Sequence, residues 1–394
     1  MTTGTTNQLA GDGPGGTGRA DGFPVFDGHN DLAWAMREVF DYDLDKADLA
    51  AGCPALATDL PRLGAGRVGY QFWSVYVPCS FHGNDAVRAT LEQIDFVHRL
   101  CARYPESLAF VRTADEARTA FAQGRVASLL GAEGGHSIAG SLAVLRTFAM
   151  LGVRYMTLTH TKSTEWADSA TDAPISHGLN DFGRGVVREM NRLGMLVDLS
   201  HVSVETMDAA LDTTERPVVF SHSSCKDVTD HPRNVPDRVL ERLKTNGGLC
   251  MVTLVPQFVS QRVADWHFAR DGLRTAAHET HGGQTTDAQA APADHEADAR
   301  VAAFTAANPR PAATIADAAD HFDHAREVAG IDHIGIGGDY DGCDPMPQGL
   351  EDVAAYPRLF EELARRGWSA HDLAKASHEN MLRVLADNDA DAGA

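Results

Sequence analysis

Along the chain, short apolar runs alternate with longer stretches in which apolar residues recur every three or four positions. The runs number eight: "FPVFDGHNDL" (23–32), "YQFWSVYV" (70–77), "RVASLLGAEGG" (125–135), "VRYMTLTH" (153–160), "GMLVDLSH" (194–201), "PVVFSHSS" (217–224), "GGLCMVTLV" (247–255) and "HIGIGGDYDG" (333–342). Cores such as "GMLV" and "VVF" are apolar at successive positions, the mark of parallel strands buried on both faces. Helical patterns over 84–103, 137–151, 180–193, 203–212, 236–245 and 312–329 fill most of the gaps. Strand and helix in strict alternation predict an α/β protein, a (β/α)8 TIM-type barrel. A doubly wound open sheet gives similar local patterns. Two features favour the barrel: no GxGxxG follows the first run, and polar residues close nearly every run at its C-terminal end, where barrel enzymes keep their chemistry.

Helical patterns over 350–366 and 370–386 follow the last strand and are expected to close the barrel as additional C-terminal helices. Two stretches break the alternation, 35–69 and 256–311. The second has a low-complexity centre, "THGGQTTDAQAAPADHEADAR", and is expected as a mobile surface insertion. The organisation read from this pattern is a disordered Gly/Thr-rich segment over 1–22, one catalytic domain over 23–386 with its insertion at about 256–311, and a flexible tail over 387–394.

Composition narrows the function. A formal charge of −21, from 34 Lys+Arg against 55 Asp+Glu, repels phosphate backbones, and no basic patch with interleaved aromatics offsets it. Nucleic acid is therefore excluded as a partner. The opening residues lack the basic region and apolar core of a signal peptide, and no apolar run reaches the roughly 18 residues of a membrane span. A cytoplasmic protein with no membrane partner is expected. Six cysteines, none spaced as CxxC, read as buried thiols.

The polar residues at the run ends carry the chemistry. They are His29 and Asp31 after the first run, Glu133 after the third, and His160, His201, His222 and Asp339 after later ones. A lone histidine in such a place is usually a hydrogen-bonded structural residue. Four of them with three carboxylates at one end of one barrel would face a single bowl. Imidazole and carboxylate together suit Zn²⁺, Mn²⁺ or Fe²⁺. Two metal ions roughly 3.5–4 Å apart need a bridging group, and Glu133 in "GAEGGHS" is the candidate. The flanking glycines leave room for metals, although a tight strand-to-helix turn would use them equally well.

The strings "DGHNDL", "EGGHSI", "RYMTLTH", "DLSHVS", "FSHSS", "RNVPD" and "GIGGDYDG" resemble the membrane (renal) dipeptidase family, dinuclear zinc peptidases of the amidohydrolase superfamily. The resemblance runs from about residue 23 to "SHENMLRVL". It implies two Zn²⁺ per chain, one on His29, Asp31 and Glu133, the other on Glu133, His201 and His222. It implies further that His160 and Arg233 bind substrate, that Asp339 is the catalytic acid/base, and that a hydroxide bridging the metals hydrolyses small dipeptides. Each assignment suits the chemistry: His160 near the carbonyl could steady an oxyanion, and a loop guanidinium such as Arg233 could clamp a free carboxylate. Asp341 competes locally with Asp339, but the strand "GIGG" ends at Asp339, which is preferred. Lys162, Glu165, Asp168, His136 and His177 lie near the same mouth and receive no task.

The resemblance thins in two places. Animal members are lipid-anchored through a C-terminal signal, whereas "DNDADAGA" has no apolar tail, so a soluble bacterial-type relative is expected. Val255 stands where animal members carry a tyrosine near the substrate, so side-chain preference and acceptance of a C-terminal D-residue stay open. A homodimer is the assembly considered. Two rival readings remain: another amidohydrolase acting on a cyclic amide, lactone or phosphoester, and an inactive barrel that only binds. The first often bridges its metals with a carbamylated lysine from the fourth strand, but Lys162 already lies in the loop beyond it.

Overall fold

Each of the eight apolar runs forms a strand, and the strands close on themselves. The computed structural model describes residues 22–280 and 287–389. Its strands are β1 Val25–Asn30, β2 Val68–Tyr76, β3 Leu108–Phe110, β4 Val126–Glu133, β5 Val153–Thr157, β6 Leu196–Asp198, β7 Val219–Phe220, β8 Leu249–Thr253 and β9 Ile334–Gly337. Hydrogen-bonded neighbours run β2-β1-β9-β8-β7-β6-β5-β4, and a further β2–β4 pairing closes an eight-stranded, all-parallel barrel.

The remaining strand, β3, escaped the sequence reading because "LAF" is too short to show a period. It pairs with Val126–Ser128 at the start of β4, on the edge that β5 takes over from Leu130. Helices were missed as well. Ala114–Ala122 is capped by Thr113, whose side chain accepts from Glu116 N, while Leu32–Phe40 overlaps the start of the stretch 35–69 read as irregular and Leu60–Ala65 lies near its end.

β7 has only two ladder residues although its run is eight long. Beyond Phe220 the backbone turns to other acceptors: Ser221 N donates to Asp198 Oδ1 (2.9 Å), His222 N to Ser200 Oγ (3.0 Å) and Ser223 N to Met251 O (3.1 Å). The strand stops where the polar site begins.

Side chains rather than a pore fill the barrel. Phe26, Phe72, Leu129, Tyr155, Leu196 and Met251 belong to one buried cluster, with ring centroids 5.7 Å apart for Phe26–Phe72 and 4.8 Å for Phe72–Tyr155. Two glycines permit the closest approaches. A Cβ on Gly131 would lie 2.0 Å from the Tyr155 ring, and one on Gly337 would lie 1.8 Å from Ser221 O. Outside, helical faces such as Val186, Val187 and Met190 or Val239, Leu240 and Leu243 cover the strands.

The excursion over 256–311, read as an irregular insertion, is helical where it is described. It comprises Pro256–Val259, Gln261–Thr280 and Asp287–Ala307, and its many alanines favour that state. Residues 1–21, 281–286 and 390–394 lie outside the described residues, and with them most of the expected N-terminal disorder, part of the low-complexity centre and the last five residues of the tail. Among the cysteines, all free, four are buried, but Cys79 and Cys343 are only partly so, which corrects the expectation for those two. No helix among the described residues is long and apolar enough to cross a membrane.

Asp387–Asp389, read as the start of a flexible tail, instead form the last turn of the helix Asn380–Asp389. Asp389 accepts from Ala114 N (2.7 Å) and pairs with Arg154 (2.7 Å), whose guanidinium also donates to Gly194 O (2.5 Å). Burial pushes Asp389 up and Arg154 down from their ordinary pKa values, so the pair itself adds little to stability. Removing one partner strands the other. Asp389→Ala should therefore lower unfolding free energy by about 2–4 kcal/mol, read as a shift of the urea midpoint; an unchanged midpoint would show the tail to be dispensable.

Candidate metal centre and active site

Glu133 closes β4 and is nearly buried, and its two carboxylate oxygens face different partners. Oε1 lies 2.9 Å from His201 Nε2 and 3.3 Å from His222 Nε2. Oε2 lies 3.5 Å from His29 Nε2, which in turn stands 3.4 Å from Asp31 Oδ2. His29 is in β1, Asp31 follows it, and His201 and His222 stand beyond the ends of β6 and β7. Parallel strands of one barrel deliver all of these groups to the same end.

The rings are held from behind. His29 Nδ1 meets Tyr155 Oη at 2.8 Å, and His222 Nδ1 meets Ser221 Oγ at 2.8 Å. Ser221 Oγ and Thr157 Oγ1 both donate to Asp198 Oδ2 (2.6 and 2.5 Å), and that buried carboxylate also accepts from Ser200 N and Ser221 N (3.1 and 2.9 Å). Asp27 performs a similar task below β1, accepting from His29 N and Gly338 N (3.1 and 2.8 Å). With both Nδ1 atoms engaged, both Nε2 atoms point into the bowl.

The electrostatics oppose so dense a cluster. Burial alone would raise the pKa of Glu133, but the His29 charge and hydrogen bonds from His201 and His222 hold it well below the usual carboxylate range. Burial, with the charge of His29 added, pushes His222 down to about 3, and burial with Arg233 and His160 keeps His201 well below its ordinary value. Asp339 is driven well above its ordinary value by burial and then by the charge of Asp31.

Against the effect of burial, His29 is by contrast driven well above its ordinary value by Tyr155, Glu133 and Asp31. His201 Nε2 and His222 Nε2 approach to 2.9 Å over one carboxylate oxygen, while His29 Nε2 and Asp31 Oδ1 are buried with no hydrogen-bond partner among the described residues. Converging lone pairs of this kind fit divalent metal ions. Among the described residues, three sets have ligand atoms mutually within 4.8 Å: His29/Glu133/His222, Glu133/His160/His201 and His29/Asp31/Asp339. Every predicted strand-end residue is therefore in the cluster, and the spacing also brings His160 and Asp339 within ligand distance.

Above the cluster lies a cavity of about 330 Å³, walled by Trp34, Tyr76, His160, Arg233, Phe258 and Asp339 among others. Arg233 is 3% exposed, yet among the described residues no carboxylate pairs with it. Its guanidinium makes only long contacts, 3.4 Å to Ser223 Oγ and 3.4 Å to His222 O, leaves Nε without a partner, and stands 5.2 Å from the centre of the Phe258 ring. Burial lowers it to about 10, so it keeps its charge at neutral pH.

His160 stacks obliquely between Tyr76 (4.8 Å) and His201 (4.2 Å), and burial pushes it down to about 4, so the ring is neutral. Asp341, the local competitor, is otherwise engaged: its Oδ1 accepts from Ala57 N at 2.6 Å. Among the residues without a task, Lys162 pairs with Asp172 (3.2 Å), His136 Nε2 meets Val77 O (3.0 Å), and Asp168 accepts from three backbone N–H groups of its own loop (2.6–2.8 Å).

Sequence reasoning missed Trp34, Tyr76, Tyr155, Asp198 and Ser221. Trp34 and Tyr76 sit beside quoted motifs at strand ends and could have been found by position. Tyr155 and Asp198 lie inside "RYMTLTH" and "DLSHVS", but only the closed barrel brings them to His29 and His222.

The pattern of the family described as Membrane dipeptidase (Peptidase family M19) matches residues 20–392. Dipeptidase 3 of Rattus norvegicus is 44% identical over 369 residues, which are 92% of this chain and 64% of that protein, so the chain spans less than two thirds of that relative. Dipeptidase verJ of Clonostachys rogersoniana is 39% identical over 373 residues, 92% of this chain and 83% of that protein. A metallo peptidase from Rhodobacter sphaeroides, solved with a phosphinate mimic of the dipeptide L-Ala-D-Ala, shares the fold with a TM-score of 0.74 at 23% identity, over 93% of this chain and 100% of that one. Barrel, strand-end cluster and matched length together place this chain in the membrane dipeptidase family, peptidase family M19.

Proposed function

We propose that the chain is a metal-dependent dipeptidase that uses two zinc ions bridged by Glu133. The observation that carries the reading is the pairing, across one cavity of about 330 Å³, of a candidate ligand cluster with a buried guanidinium that forms no ion pair among the described residues. His29, Asp31 and Glu133 would hold one ion, and Glu133, His201 and His222 the other; the opposed oxygens of Glu133 support that division. What such ions supply when bound is Lewis acidity toward the scissile carbonyl and a lowered pKa for water.

The protein's own groups do the rest. Asp339 takes the proton of the attacking water and hands it to the departing amine, a role supported by its buried carboxyl beside Asp31. His160, neutral and adjacent to the cluster, donates to the oxygen on which charge develops. Arg233 holds the free α-carboxylate of the C-terminal residue by charge-assisted hydrogen bonds. With the carboxylate held there, only a single residue fits between clamp and ligands. The Rhodobacter sphaeroides relative, liganded with an L-Ala-D-Ala mimic, supports acceptance of a C-terminal D-residue. Lys162, paired with Asp172, is no candidate for a bridging carbamate, which weighs against the lactone and phosphoester reading. Free thiols at all six cysteines suit a reducing compartment such as the cytoplasm.

Elemental analysis of purified protein should find close to two divalent ions per chain. Chelation should abolish dipeptide hydrolysis and zinc should restore it; one ion with full turnover would remove the dinuclear assignment. Glu133→Ala should lose both ions, since a bridge serves both. Loss of one alone would place the bridge elsewhere.

Asp339→Asn keeps the shape of the side chain but cannot take a proton, so kcat should fall by roughly 10²–10⁴ with both metals retained. A variant of near-normal kcat would move the proton transfer to another group.

Arg233→Met should lower kcat/KM for a dipeptide by about ten- to a hundredfold, the worth of a charge-assisted pair of roughly 1.5–3 kcal/mol. The matched dipeptide amide, with no carboxylate to hold, should be a poor substrate for both forms and change little. Equal losses on the two substrates would assign Arg233 to the fold or the metal site instead.

A further inference from the structure

The helix Gln261–Thr280 of the 256–311 excursion lies outside the barrel, and the chemistry described so far makes no use of it. One of its side chains nevertheless begins a stack that ends on the guanidinium of Arg233. Phe268 lies 5.2 Å, nearly parallel at 16°, from the ring of His231. The His231 ring lies 4.6 Å from that of Phe258, and the Phe258 ring carries the Arg233 guanidinium at 5.2 Å. A hydrogen bond runs beside the stack, from Arg233 N to His231 Nδ1 at 3.2 Å.

The helix is fastened where the stack needs it. Gln261 Oε1 accepts from Asp230 N (2.7 Å), in the same loop as His231 and Arg233. Arg262 donates to Ala312 O (3.0 Å) and Asp317 (2.9 Å), and Trp266 Nε1 donates to Asn308 O (2.8 Å). Val259 and Val263 pack with Ala313 in a small apolar cluster of their own.

Arg233 needs such a backing. Its polar contacts are two bonds of 3.4 Å and one unpartnered Nε, too weak to hold a side chain with so many rotamers. A clamp that must be ordered by its ligand loses affinity to the cost of ordering, and a clamp already held in place does not. An aromatic face under the guanidinium supplies that restraint without competing for its N–H groups. His231, pushed down to about 3 by burial and then by Arg233, stays neutral, so it can accept from Arg233 N and pack between two rings without repelling the guanidinium.

We infer that Phe268, His231 and Phe258 form a positioning column through which the excursion holds Arg233 ready for the substrate carboxylate. The inference rests on the clamp reading of Arg233. None of the three is a catalytic residue; they act through Arg233, and the role of the excursion is to set how tightly a dipeptide's free carboxylate is bound.

The test uses the intact, metal-loaded protein. Phe268 is 45% exposed, so Phe268→Ala leaves no closed cavity, and metal content and thermal midpoint check that the barrel survives. The expected result is a KM for Ala-Ala raised about two- to tenfold, a smaller change in kcat, and a reduced preference for Ala-Ala over Ala-Ala amide. Phe268→Tyr, which keeps the ring, should restore the wild-type KM, and His231→Phe, which keeps the stack but loses the acceptor, should fall between. Arg233→Met serves as reference. If it fails to discriminate the dipeptide from its amide, the clamp reading falls and the column's role falls with it. If Arg233→Met discriminates while Phe268→Ala leaves KM and the preference unchanged, or weakens both substrates equally, the clamp stands and the column is overturned.

Discussion

An ionised carboxylate with almost no access to water is the constraint on which the rest of this structure turns. Glu133 sits within 2.9–3.5 Å of three imidazole nitrogens. Withdrawing a charge of this kind from water costs several kcal/mol, and of the three imidazoles only His29 is shifted toward its charged form, so His201 and His222 do not return that energy by themselves. Further positive charge between the groups would repay the rest, which is why the cluster reads as a receptor for cations. The same need explains the outer ring. Tyr155, Ser221 and Asp198 fix the far sides of His29 and His222, so the lone pairs that face Glu133 cannot turn away.

The barrel meets this demand by ending its strands early. β6 and β7 give up ladder hydrogen bonds after Leu199 and Phe220, and the freed backbone donors of Ser200, Ser221 and His222 turn to the side chains of Asp198 and Ser200. At the same level, His201, Asp339 and Asp341 adopt left-handed backbone conformations, with φ of 68°, 59° and 64°. Such conformations are uncommon for residues other than glycine and cluster at functional sites where the surroundings over-determine them. Here those surroundings include Asp339 N donating to His29 O (3.1 Å) and Gly342 N donating to Asp339 O (3.2 Å). The strain sits where side chains must leave the strand line to converge.

How much of this could be read beforehand follows from the range over which each feature is encoded. The eight barrel strands were legible because double-sided burial writes itself into consecutive residues, and the residues of the cluster because each stands within a few residues of a strand end. β3 was not, since three residues show no period. The excursion was misread because its low-complexity centre outweighed the alanine content that makes its flanks helical. Asp389 was assigned to a tail because only the folded barrel shows Arg154 and Ala114 N waiting for it. Tyr155 and Asp198 were in view as letters but not as partners, because their meaning lies in contacts 126 and 23 residues away in sequence, to His29 and Ser221.

Chemistry and recognition are then carried by parts of different stiffness. The candidate ligands belong to strand ends that the closed barrel locks in place, so their spacing is set by the same hydrogen bonds that hold the fold. Arg233, by contrast, is in a loop, and its neighbours are His231 of the same loop and Phe258 of the short helix Pro256–Val259, with Phe268 of the helix Gln261–Thr280 stacked behind them. Rigid strand ends keep charges at the separations that metal ions require, where displacements of a few tenths of an ångström matter. A loop-borne clamp tolerates more variation, since a guanidinium and a carboxylate stay paired over a wider range of positions. With Arg233 as the proposed clamp, changes in the excursion would alter how the free end of a substrate is held without disturbing the cluster, and the reverse would not hold, because any shift at Glu133 moves β2, β4 and β5 together.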